Sequence, residues 1–200
     1  MYYPHAGLIA GFHGCKLSVR NKIVSGKETG LLHSNNSYDW LGHGIYFWEN
    51  NPQRALQFAK EALARQKDNV SKPAVVGAVI SLGKCLDLLD SANLNLVKRA
   101  YLQLSDIMSK ANIPLPKNIK AADSIKNDKL IRQLDCAVIE YLMDENKSFD
   151  SVRGIFTEGK ELYPGAGFRD KDHIQICIRN PNCIKGYFLP LAENKTFRVV

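Results

Sequence analysis

Three short stretches carry the residues best suited to chemistry. Trp40 to Trp48 reads Trp-Leu-Gly-His-Gly-Ile-Tyr-Phe-Trp, with two glycines one residue apart leading into the aromatic run Ile45 to Trp48. Alternation along an extended strand sends Tyr46 and Trp48 to one face and Ile45 and Phe47 to the other. A ring bearing a hydroxyl thus follows a glycine-relaxed turn, where a flat ligand can approach closely. The second stretch is His13-Gly14-Cys15, at the end of an apolar run. The third is His173-Ile174-Gln175-Ile176-Cys177-Ile178, preceded by Glu158 and Glu161 and by the cations Lys160, Arg169 and Lys171. Each has a plainer reading: a core strand after a turn, an edge histidine, a run of solvated charges.

Several elements must position these residues. Leu8 to Phe12 reads as a short strand ending at His13, and Ser18 to Ser25 as a brief helix. Asn50 or Asn51 is expected to cap a helix with Pro52 in its first turn. Ala55, Phe58, Ala59, Ala62 and Leu63 form its apolar stripe. The valine-rich run Ala74 to Leu82 suits a buried strand, continued by Cys85 to Leu89. From Ser91 to Glu145 the pattern turns helical, in Leu94-Val97-Tyr101-Leu104-Ile107-Met108 and again in Leu130-Leu134-Ala137-Val138-Tyr141-Leu142. Ile184 to Leu189 is the last strand. The expectation is one α+β domain over residues 1–200, its core mainly β, with a helical insertion over 91–150.

At 200 residues the chain can bury a core without metal or disulfide staples. Its five cysteines are scattered without a CxxC pair, which fits a reducing cytoplasm. The start of the chain lacks signal-peptide character, and no apolar run reaches membrane-spanning length, so no membrane role is expected. His5 and His33 have no partners at metal-ligand spacing. A net charge of +7 suits a polyanionic partner such as nucleic acid, or simply a basic surface.

Phe12-His13-Gly14-Cys15 resembles the His-Gly-Ser/Thr strand of the diphtheria-toxin-like ADP-ribosyltransferases, including the poly(ADP-ribose) polymerase catalytic domain. Leu41-Gly42-His43-Gly44-Ile45-Tyr46-Phe47 resembles that family's Phe-Gly-x-Gly-Ile-Tyr-Phe. Phe58, twelve residues after Tyr46, is close to where the family carries a second stacking aromatic. Val76 to Gly83 is similar to its next core strand. The resemblance spans residues 8–90 and about 152–190 and omits the helical stretch. It implies the ADP-ribosyltransferase fold, a split antiparallel β core, with NAD as co-substrate.

That chemistry would suit these residue types. Cleaving NAD between nicotinamide and ribose passes through an oxocarbenium-like transition state. By resemblance, Tyr46 and Phe58 sandwich the nicotinamide cation, an attraction of about 1–2 kcal/mol when desolvated. The Gly14 backbone would reach the carboxamide, and His13 would bond the adenosine ribose. Two departures stand out. Cys15 replaces the usual Ser or Thr and is a weaker donor. Gln175 stands where the family's catalytic glutamate opens a late strand, and losing that charge costs about 3 kcal/mol, roughly a hundredfold in rate. Either Gln175 suffices for single transfers, or Glu158 or Glu161 supplies the carboxylate, or the site binds NAD without turnover.

His43, within the turn, is structural or faces substrate; His173, on the strand face of Gln175, is an edge residue or assists the acceptor. The expectation is therefore a cytoplasmic, NAD-dependent mono-ADP-ribosyltransferase of toxin or phage-defence type, for which an antitoxin protein is a candidate partner. Its acceptor would be nucleic acid, RNA before protein. The alternatives are a silent ADP-ribose-binding module and a nuclease using His13 and His43.

Overall fold

The computed structural model describes residues 7–120, 131–145, 149–191 and 196; His5 lies outside them. Strand β1 (Ile9–Lys16) leads directly into helix α1 (Leu17–Val24), which buries only Ile23. Strand β2 is Ile45–Glu49 and helix α2 is Pro52–Arg65. Then come β3 (Pro73–Ile80), β4 (Cys85–Asp87) and the long helix α3 (Ser91–Lys110). A two-residue strand pair, β5 (Asn118–Ile119) and β6 (Ile131–Arg132), precedes α4 (Gln133–Glu145). Strands β7 (Ser151–Phe156), β8 (His173–Ile178) and β9 (Ile184–Phe188) close the chain.

Seven strands form one sheet in the order β4-β7-β8-β2-β1-β3-β9. All pairings are antiparallel except β4 with β7, which run parallel because the helical segment carries the chain across between them. The protein is therefore mixed α and β, with the helices packed on a large mixed sheet. Among the described residues, no helix is long and apolar enough to cross a membrane.

The first strand departs from expectation. β1 does not stop at Phe12 but runs on through His13, Gly14 and Cys15. The cause is β3, which pairs with it over its whole length from Ile9↔Ile80 to Lys16↔Pro73. A glycine inside a strand weakens it locally, and eight consecutive cross-strand pairs override that cost.

The core lies on both faces of the sheet. One face gathers Ile45, Phe47, Val76, Ala78, Ile80, Ile176 and Ile178 beneath Ile23 and Leu31. The other is covered by the helical segment, whose Ala100, Val138, Ile139, Leu142 and Met143 pack on Leu41, Val152 and Cys177. Residues 91–110 and 133–145 are thus integral to the core. Asn118 anchors the start of α4, its side-chain oxygen accepting the N–H of Leu134 at 2.9 Å and of Asp135 at 3.2 Å. As expected, Asn51 caps α2, accepting from the Arg54 N–H at 2.9 Å.

Candidate functional site: an opening between two central strands

The two strands that carry the motifs part company in mid-sheet. β1 pairs with β2 only through Gly11↔Glu49 and Phe12↔Trp48, while β2 stays on β8 from Ile45↔Ile178 to Trp48↔Gln175. Beyond Phe12 and before Trp48 the ladder therefore opens. The Ala10 carbonyl accepts from the Asn50 N–H at 2.9 Å, so peptide groups of the even-numbered β1 residues face β2. By the two-residue alternation, the N–H and C=O of Gly14 face the opening.

His13 spans the gap. Its Nδ1 lies 2.8 Å from the Tyr46 carbonyl. A carbonyl only accepts, so Nδ1 carries the hydrogen and Nε2 is left as an acceptor. Burial lowers the His13 pKa below its usual 6.5, against the opposing pull of that hydrogen bond, so the ring is neutral near pH 7.

Tyr46 is held by the glycine turn. Its hydroxyl donates to the Gly42 carbonyl at 2.6 Å and accepts from the Leu41 N–H at 2.9 Å. Burial, the main cause, pushes its pKa far above the ordinary phenol value and keeps it un-ionised. The ring itself packs half-buried against the core cluster that includes Leu41 and Cys177. Gly14 has a second reason to be glycine. A Cβ there would lie 2.0 Å from the Ala55 carbonyl oxygen, so α2 crosses directly over it. Cys15 is half-buried and its thiol pKa is raised, chiefly by burial.

The aromatic pairing differs from the expected one. Phe58 packs on Trp48, ring centroids 4.8 Å apart, and not on Tyr46. Trp48 is on the same strand face as Tyr46 but two residues further on, directly under α2, so the helix ring meets it first. Trp48 also lies 6.2 Å from His173, and the Arg54 guanidinium sits 5.9 Å from its ring centre. His173 is no edge residue. It is 6% exposed among Trp40, Trp48 and Phe156, with Nδ1 2.6 Å from the Lys171 carbonyl.

Gln175 is half-buried opposite Trp48 and Gly154, sharing the face that bears Tyr46. Glu158 lies beyond the end of β7, where its carboxylate accepts from Arg54 Nη2 at 3.0 Å. It is thus charge-paired, and displaced along the strands from Gln175 past the Phe156↔His173 pair. Glu161 is exposed, its carboxylate accepting from the Gly165 N–H at 3.3 Å. The cations before β8 are not a bare basic run. Lys171 pairs with Glu61 at 2.8 Å, and Asp170 and Asp172 fold inward onto the N–H groups of Lys160, Glu158 and Arg169. Segment 158–171 is a ribbon, tied by Leu162 N–H to Phe168 C=O and Asp170 N–H to Lys160 C=O. Its tip presents Leu162, Tyr163 and Phe168 to solvent, the two rings 58% and 65% exposed. His33 lines a separate cavity of about 480 Å³ with Leu31, Ile45, Ile184 and Tyr187.

Sequence reasoning missed Arg54 and Arg153. Arg54 is 6% exposed, with Nε and Nη1 lacking a hydrogen-bond partner, as do the buried Trp48 Nε1 and His173 Nε2. Its signal was an arginine one turn before Phe58 on the apolar stripe of α2. Arg153 reaches over β8 to Glu49, at 2.6 and 3.0 Å, and bonds Asp87 at 3.1 Å. A charged residue inside an apolar strand is that signal.

Comparison with known proteins adds a relative without an assigned role. The chain is 26% identical over 196 residues to the uncharacterized protein MJ0359 of Methanocaldococcus jannaschii, covering 87% of this chain and 83% of that one. No protein-family profile matches the chain. No solved structure matches it either.

Proposed function

We propose that the protein is an NAD-dependent mono-ADP-ribosyltransferase whose nicotinamide pocket is the opening between β1 and β2. The observation that carries this reading is the parting of the two strands after Phe12, bridged by His13 and Tyr46. It leaves the peptide groups of Gly14 facing a gap whose other side is the strand that carries Tyr46. A flat carboxamide-bearing cation needs both features: paired backbone donor and acceptor, and a ring face for stacking. His13 Nε2, an acceptor, suits a ribose hydroxyl. Gln175 would bond the nicotinamide ribose without contributing charge, which fits single transfer better than polymer formation.

The acceptor favoured is single-stranded nucleic acid, RNA foremost, supported by the exposed Tyr163 and Phe168 on a ribbon that also carries Lys160 and Arg169. Stacking on such rings contributes about 1–3 kcal/mol per base. The engagement of Glu158 by Arg54 favours one second reading: an NAD- or ADP-ribose-binding module that does not turn over. Incubation with labelled NAD and cell lysate, followed by nuclease or protease, separates these. Nuclease-sensitive label supports the nucleic-acid acceptor and protease-sensitive label a protein one. Binding with no nicotinamide release supports the silent module, and no binding at all overturns the proposal.

A further inference from the structure

One carboxylate joins the helical segment to the glycine turn. Glu140 of α4 accepts the His43 N–H on Oε1 at 2.7 Å. Arg179, just past β8, grips both carboxylate oxygens, Nη1 on Oε1 and Nη2 on Oε2 at 3.1 Å, and also donates to the His43 carbonyl at 3.0 Å. On the other side of the same turn, the Gly42 carbonyl accepts the Tyr46 hydroxyl at 2.6 Å and the Cys177 thiol at 3.5 Å.

The approach is close enough to dictate residue type. Gly42 has φ +78°, and a Cβ there would fall 2.4 Å from Glu140 Oε1 and 2.8 Å from Ile139 Cγ2. Burial raises the Glu140 pKa, but Arg179 and the His43 N–H outweigh it, so the carboxyl stays ionised and its grip is charge-assisted. A continuous set of hydrogen bonds thus runs from α4, through the backbone of 42–43, to the Tyr46 ring.

We infer that Glu140 is a positioning residue: it fixes the 41–44 turn and so sets the Tyr46 ring against the opening beside Gly14, making α4 a part of the ligand site. The inference rests on the NAD reading above. A tilt of the turn by an ångström moves the ring face by a similar amount, a displacement that costs a bound ligand much of its alignment.

The test compares Glu140→Ala with the isosteric Glu140→Gln, which keeps an acceptor for the His43 N–H but loses the charge pairing with Arg179. Hydrogen exchange of the 41–46 amides is expected to quicken in both, more in the alanine variant, with the β1–β3 amides unchanged. The KM for NAD is expected to rise roughly three- to tenfold in the alanine variant and less in the glutamine one, with kcat nearly retained. If Glu140→Ala does not fold, Glu140→Gln alone carries the comparison. Folded variants with wild-type turn exchange, or a loosened turn with unchanged NAD affinity, overturn the inference and leave the NAD reading standing. A wild-type protein that binds no NAD overturns that reading, and this inference with it.

Discussion

The imidazole of His13 hydrogen-bonds the main-chain carbonyl of Tyr46, 33 residues away, at the point where β1 and β2 separate. One side chain thus bridges the strands where their own ladder bonds have stopped.

Burial of the His13 ring, against the opposing pull of the bond, makes stability depend on acidity. His13 and His173 both have pKa values lowered from 6.5, mainly by burial, so the unfolded chain binds protons more readily than the folded one. The stabilisation from keeping them neutral is complete above about pH 6.5 and drains away as pH falls through the lower folded values. Thermal melting from pH 8 to 5 should show Tm nearly flat above 6.5 and falling below it. His13→Asn should flatten part of that fall.

Gly14→Ala should destabilise the fold by about 1–3 kcal/mol, as overpacking does, because the new methyl would meet backbone at the Ala55 carbonyl, 2.0 Å away. Gly186→Ala, on β9 with nothing within 4 Å of the added carbon, is the matched control. Urea unfolding of the two variants checks the difference.

Arg153 ties β7 to β2 and β4 through two carboxylates that are themselves mostly buried. Replacing it with methionine removes the guanidinium charge that both mostly buried carboxylates face and should cost about 3–5 kcal/mol. Exchanging all three for apolar residues should recover most of that loss in the same unfolding measurement.

Under the proposed activity, Tyr46→Ala should weaken NAD binding by calorimetry. Gln175→Ala should leave binding intact and lower turnover. Gln175→Glu, by adding charge near the developing cation, should raise nicotinamide release by roughly a hundredfold, about 3 kcal/mol. If Gln175→Ala keeps full rate and Glu158→Gln loses it, the carboxylate from the ribbon is the one that matters.

Loss of the ribbon's rings is a separate test of the acceptor. Tyr163→Ser with Phe168→Ser should reduce transfer to RNA about tenfold or more while nicotinamide release to water stays unchanged, since one stacked base contributes about 1–3 kcal/mol.

Much of this was legible from local pattern. Alternation in Ile45 to Trp48 assigned Phe47 to one core face and Tyr46 to the other. Asn51 followed by Pro52 marked the start of α2, and the apolar periods of 94–108 and 130–142 announced α3 and α4. These properties depend on neighbours within a turn or a pleat, so the order of residues suffices to determine them. Tertiary structure alone decided where β1 ends, which ring Phe58 meets, and that Glu140 holds the Gly42 turn. Each depends on segments tens of residues apart competing for the same space and the same hydrogen bonds. Eight pairs with β3 outweigh a local glycine, and α2 lying over Trp48 gives Phe58 that ring in place of Tyr46.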